Sequence, residues 1–190
     1  MTVRAHKPEF NFREKLKELD YSHVPYEKIP DGVAIQTVIE QYRSSGAANE
    51  HETSSSTYQP SYFKVTINPK FVDSIIEIKA APNHKENGAT SYHTVAVYRS
   101  IDGGDYSYIG ESLTHGQMTI AWGSSLGSGL IYGVVPVLAY DTPNTTSPVT
   151  YKLYHRHSQG TYTVRLGENG ADEFMSATEI KSSSSSITKL

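Results

Sequence analysis

Residues 149–156 alternate without interruption. Val149, Tyr151, Leu153 and His155 fall on one side of an extended chain, and Thr150, Lys152, Tyr154 and Arg156 fall on the other. A period of two built from β-branched, aromatic and charged residues marks a half-buried strand. The nine residues before it hold two prolines, Asn144 and four hydroxyl side chains, each with a local reason to leave regular structure. Residues 158–160 (Ser-Gln-Gly) read as a turn, and residues 161–166 alternate again. This stretch predicts a long loop feeding an antiparallel hairpin. The rest of the chain then supplies further strands that close a sandwich with it.

The remaining sequence repeats the theme. Strand patterns cover residues 33–42, 62–68, where Phe63, Val65 and Ile67 point inward, 74–80, 92–99, 106–110, 117–122 and 174–181. An apolar run at 130–140 is interrupted by Pro136, which implies an edge, a bulge or a break. Turn chemistry separates the runs. Asp31-Gly32 launches the first strand, and residues 102–105 (Asp-Gly-Gly-Asp) tolerate positive φ as a hairpin turn does. Residues 44–56, 82–90 and 123–129 read as polar loops. About nine short strands at intervals of roughly ten residues predict an all-β chain, an antiparallel β-sandwich or jelly roll over residues 32–181.

Both flanks differ from this body. Asn11 and Glu14 form a capping-box pattern, and Phe12, Leu16 and Leu19 follow at helical spacing, so a short amphipathic helix spans about residues 12–19. A helix this short is marginal alone in water, so its apolar stripe must dock. Pro25 and Pro30 stiffen the spacer behind it. Residues 1–31 therefore read as an anchor on a linker, with Phe12, Leu16 and Leu19 as the partner-contacting residues and the partner a second molecule. Residues 182–190 read as a serine-rich tail.

Composition closes off several functions. Charged residues are 19% of the 190 and the net charge is −3, which gives no basic field for nucleic acid. The absence of cysteine excludes disulfides and thiolate metal sites. No apolar run approaches the roughly 20 residues of a membrane helix, and the N-terminus lacks a signal-peptide core. The 14 tyrosines against 5 phenylalanines suit surfaces that are half apolar and half wet.

No residue pattern demands catalysis. Gly123, Ser125 and Gly127 fit a G-x-S-x-G nucleophile elbow, with Asp141 and His155 in the expected order, but that motif needs a strand-to-helix turn and here a strand follows. His155 and His157 share a strand face, as metal ligands do, yet no third ligand is evident, and two surface histidines are expected. Asp102 and Asp105 lack the ligand series of a calcium loop. Asn144 heads a glycosylation acceptor in form only. Glu40 and Glu77 lie on different strands and read as solvated. The chain is expected to be no enzyme and to bind no cofactor or metal.

Several segments, in order, resemble the small β-rich appendage proteins of tailed bacteriophages from aquatic habitats. They are residues 32–38 (Gly-Val-Ala-Ile-Gln-Thr-Val), 62–69, 74–78, Tyr98-Arg99 with Asp102-Gly103, and 141–143 through 149–152, with the lead-in at 12–16. The resemblance covers most of residues 10–181, and the serine tail departs from it. It implies a virion component assembled in the host cytoplasm, fibre-like and trimeric. Such a protein is anchored to other virion proteins by its N-terminal segment and presents its loops to a host surface glycan or protein. A capsid decoration (cement) protein or head fibre, and a carbohydrate-binding module, stand as alternatives.

Overall fold

The computed structural model describes residues 28–43, 51–87, 92–110, 118–121, 130–157, 163–167 and 172–182. The expected helix with Phe12, Leu16 and Leu19, most of the linker, the elbow at Ser125 and the tail beyond Ser182 lie outside them. The described residues form thirteen strands: β1 (Ala34–Arg43), β2 (His51–Thr53), β3 (Gln59–Ile67), β4 (Ile75–Ala80), β5 (Asn83–Asn87), β6 (Tyr92–Ile101), β7 (Ser107–Tyr108), β8 (Met118–Ala121), β9 (Leu130–Val134), β10 (Val137–Asp141), β11 (Val149–His157), β12 (Thr163–Leu166) and β13 (Asp172–Ile180). Every pairing between them is antiparallel.

The strands make three sheets, ordered β1-β13-β4-β10, β2-β12-β5-β9 and β3-β11-β6-β7, with β8 also on β6. The first two sheets correspond position by position. β1 and β2, β13 and β12, β4 and β5, and β10 and β9 are each neighbours in sequence, so the two sheets follow one another strand for strand. Two of the breaks between these neighbours contain proline, at Pro82 and Pro136. A residue without an N–H cannot continue a ladder. The Val135 N–H nevertheless donates to the Pro82 carbonyl at 2.9 Å and stitches the two breaks together. The result is a β-sandwich: one four-strand layer bent into an upper and a lower half, facing the sheet centred on β11.

The core follows the alternation. Phe63, Val65 and Ile67 of β3, Val149, Tyr151 and Leu153 of β11, and Val95 and Val97 of β6 pack against Ile76, Ile78, Val137, Met175 and Ala177. Its polar contacts are satisfied. Asp141 accepts from both ends of its carboxylate, from Arg99 Nη1 at 2.9 Å and from the Tyr151 hydroxyl at 2.9 Å. Glu179 is fully buried and accepts from the Lys70 and Phe71 N–H groups, Ser74 Oγ and Gln36 Nε2 at 2.7–3.1 Å. It thereby ties the loop after β3 to the last strand.

Four expectations need correction. β11 and β12 are not a hairpin: β11 is already paired on both sides, by β3 and β6, so the chain crosses to the other layer. Residues 82–90 are not simply a loop, because β5 runs through them, and β2 lies inside the supposed loop at 44–56. Both strands turn polar residues inward, which hides them from any test for apolar alternation. His155 and His157 are not surface histidines; both are fully buried. The turn after β6 is as expected, with Asp102 at φ 50° and Gly103 at φ 74°. Pro60 sits in β3, an edge strand, where its missing donor is tolerated.

Candidate functional site

The lower half of the sandwich has a different interior from the upper half. β5 sends His84 and Glu86 inward, β2 contributes His51, and the facing strands contribute His93 from β6 and His155 and His157 from β11. All but His51 are essentially inaccessible to solvent. The registers explain the convergence. His157 lies opposite His93 and His155 opposite Val95, which puts three imidazole-bearing positions within one two-strand patch.

Four of the rings form a continuous chain. His51 Nδ1 meets His155 Nε2 at 2.6 Å, His155 Nδ1 meets His93 Nε2 at 2.9 Å, and His93 Nδ1 meets His84 Nδ1 at 2.6 Å. The rings are tilted or edge-on to one another, with centroids 4.8–5.0 Å apart. Each neutral imidazole carries one N–H and one acceptor nitrogen. Three contacts need three protons, so four neutral rings leave one over, on His51 Nε2 or on His84 Nε2. One added proton fills both ends with every contact intact. A second would put two protons into one contact and break it.

Burial is the main force on these groups. It pulls His84 down to about 4 and His155 down to about 3, the neighbouring His51 and His84 adding to the effect on His155. His93 is held well below the ordinary histidine range by burial, and by His155, His84 and His157 beside it. The rings are therefore neutral at physiological pH, and the chain is a latent proton acceptor.

Glu86 is the exception among the buried carboxylates. Asp141 and Glu179 have full sets of donors, and Glu173 accepts from the Asn83 N–H at 2.6 Å. Neither oxygen of Glu86 has a hydrogen-bond partner among the described residues, nor has His84 Nε2. His157 Nε2 stands 3.9 Å from Glu86 Oε1, beyond hydrogen-bond range. Burial pushes the Glu86 carboxyl up to about 7. Among the described residues no three histidine or acidic side chains converge in a way that could hold a metal ion: the nitrogens that meet do so in pairs, not around a common centre.

The residues expected from sequence are placed as follows. His155 and Asp141 do not form a dyad; His155 bonds to His51 and His93, and Asp141 to Arg99 and Tyr151. Glu77 is not free in solvent. It pairs with Lys79 at 2.6 Å, accepts from the Tyr140 hydroxyl at 2.8 Å, and is held below the usual carboxylate range chiefly by Lys79. His51, His84, His93 and Glu86 were not singled out. Two usable signals were present: His84-x-Glu86 and His155-x-His157 each place two titratable groups on one strand face.

A second concentration of side chains lies on the outside. Tyr98 and Tyr154 stack at 4.1 Å, Tyr106 and Tyr108 flank them at 5.9 and 5.7 Å, and Tyr58 approaches Tyr98 at 6.1 Å. Arg156 lies 4.8 Å over the Tyr58 ring, and Lys152 5.8 Å from the Tyr106 ring. These are cation–π distances.

No protein-family model matches the chain, and no curated protein matches its sequence. Solved structures similar to it include the crystal structure of the infectious bursal disease virus VP2 subviral particle, at 11% identity and a TM-score of 0.35. Another is the structure of the infectious bursal disease virus Gx strain, at 7% identity and 0.32. Each likeness covers 80% of this chain and 39% of that chain, so the chain spans about two fifths of the length of those structures.

Proposed function

We propose that the chain is a structural, non-enzymatic protein of a virus particle, with a jelly-roll body. The strand order carries the reading. Counted as eight composite strands, with β1-β2, β4-β5, β7-β8, β9-β10 and β12-β13 each as one, the pairs are first with eighth, second with seventh, third with sixth and fourth with fifth. This is one long hairpin rolled into two layers, its tip at the Asp102-Gly103 turn. Double-sheet rolls of this kind recur in viral capsid and lectin domains. Fold alone does not fix function. The resemblance to phage appendage proteins selects the virion, and the tyrosine-rich outer face supplies a surface for contact.

In this reading the body is a fibre-like module of a tailed phage, assembled in the host cytoplasm as a trimer. Phe12, Leu16 and Leu19 anchor it to another virion protein. Antibodies against residues 32–181 test the location: decoration of the tail in particle images is expected. Dense decoration of the head would replace the fibre by a capsid decoration protein, and unlabelled particles would end the virion reading. Changing Phe12, Leu16 and Leu19 together to Ser should release a still-folded protein from the particle. Co-purification at the wild-type level would refute the anchor.

A further inference from the structure

The sheet centred on β11 is electrostatically unlike the rest of the molecule. The chain carries a net charge of −3, yet none of β3, β6, β7, β8 and β11 contains an Asp or a Glu. The same strands carry Lys64, Arg99, Lys152 and Arg156. Arg99 is committed to Asp141 at 2.9 Å. Arg156 is held over Tyr58, donating to Thr94 Oγ1 and the Ser56 carbonyl. The other two have no acidic partner among the described residues, although Lys152 lies 5.8 Å from the Tyr106 ring. Lys64 and Lys152 sit directly opposite each other in the β3–β11 register. Like charges in that relation are destabilising, and neither lysine forms an ion pair among the described residues. The pressure is visible at Lys152, which burial first and Lys64 second hold below the ordinary lysine range. The side chain of Lys152 lies between Lys64 and Tyr98 in the register, where the tyrosine cluster begins.

We infer that this outer face binds an acidic glycan, with a sugar ring lying on the Tyr98–Tyr154–Tyr106 cluster and its carboxylate between Lys64 and Lys152. An anion placed there relieves the lysine repulsion. Tyrosine rings offer an apolar face to the carbon-bound hydrogens of a sugar and hydroxyls to its oxygens. A nucleic acid fits less well. Three outward cations neutralise few phosphates. The inference rests on the virion reading only for the glycan's source, an outer layer of the host cell.

The test uses the full chain and immobilised uronic-acid oligosaccharides of alginate and hyaluronan, beside the same oligosaccharides with their carboxyls reduced to alcohols. Retention on at least one carboxylated probe, lost on its reduced form and weakened by salt, is expected. The pair Lys64→Gln with Lys152→Gln, the first exposed and the second half-buried, should weaken binding at least tenfold. Tyr106→Ala, at an exposed loop position, should weaken it roughly tenfold. Both variants should still unfold cooperatively, the lysine variant at or above the wild-type transition because it removes the like-charge pair. Absence of binding to every carboxylated probe, equal binding to the reduced probes, or an unchanged affinity in the lysine variant would overturn the inference. So would equal binding of polyglutamate or of a thymidine oligonucleotide, which would move the face to a protein or nucleic-acid partner. Particle labelling is a separate readout, so a failed glycan assay beside labelled virions removes this inference alone.

Discussion

Replacing Glu86 by Gln should stabilise the protein, and increasingly so as pH rises. The ordinary glutamate value is 4.5, and burial between the layers carries Glu86 to about 7. The native state therefore holds a proton on this carboxyl where the unfolded chain has lost it. Stability from the protonated form is fully present below pH 4.5 and drains away as pH climbs through 7. The gap is about 2.5 pH units at about 1.4 kcal/mol each, so full ionisation takes about 3.5 kcal/mol from the fold. That is a large share of the 5–15 kcal/mol by which domains are stable. Gln keeps the shape and stays neutral. Its advantage over the wild type should be about 1 kcal/mol at pH 5, about 2 at pH 6 and about 3 at pH 7, rising towards about 3.5 above it. Urea unfolding across this range, with an unchanged m-value, reads it directly. The opposite sign would refute the reasoning. If an ionised Glu86 were paired with a protonated His157 across their 3.9 Å separation, Gln would leave a buried imidazolium alone and destabilise the protein at neutral pH.

The histidine chain predicts the reverse pH trend. His84 at about 4 and His155 at about 3, against 6.5 when unfolded, take up protons only on unfolding, so stability falls as pH drops below 6.5. Measured in the Glu86→Gln variant, where the carboxyl's offset is gone, the two should together lose about 4 kcal/mol between pH 7.5 and pH 5. A flat profile would show that the rings are not neutral. Glu179→Ala strands four donors on Lys70, Phe71, Ser74 and Gln36 and should cost about 3–5 kcal/mol by chemical denaturation. Gly103→Ala should cost about 1 kcal/mol through its φ of 74° alone, because a Cβ there meets nothing within 4 Å.

The upper half of the sandwich was legible because its strands obey the rule that reveals strands. Phe63, Val65 and Ile67, and Val149, Tyr151 and Leu153, put apolar groups inward at every second position, and all six are buried. The lower half breaks that rule while keeping the geometry. β5 alternates as strictly as any strand, with His84 and Glu86 buried and Asn83 and Lys85 half-buried on the other side. Its inward set is polar, so composition reads it as loop. The pairing of β11 was hidden for another reason. A turn of three residues after a strand favours a hairpin locally, but β3 and β6, distant in sequence, occupy both of its edges. Local turn chemistry carries no information about that competition. The tyrosine face was visible as an excess of tyrosine, and only the register shows that Lys64 opposes Lys152 beside it.

The division between the halves makes stability uneven along single strands. β11 begins among Val, Tyr and Leu in a satisfied apolar core and ends among imidazoles that tolerate one added proton and reject a second. Each lost methylene contact in the first half has no pH dependence, whereas each contact in the second depends on a proton count. Sub-global opening occurs where burial is weakest and polar groups are least satisfied. In acid, that place is the layer formed by β2, β12, β5 and β9, hinged at the proline breaks beside Pro82 and Pro136. Hydrogen exchange at pH 5 should therefore release the amides of β5 and β12 well before those of β4 and β13, although β4 leads into β5, and β12 into β13, in sequence. At neutral pH the difference should shrink. Equal protection along both pairs at pH 5 would mean that the sandwich opens as one unit and that the histidine chain does not govern where it yields.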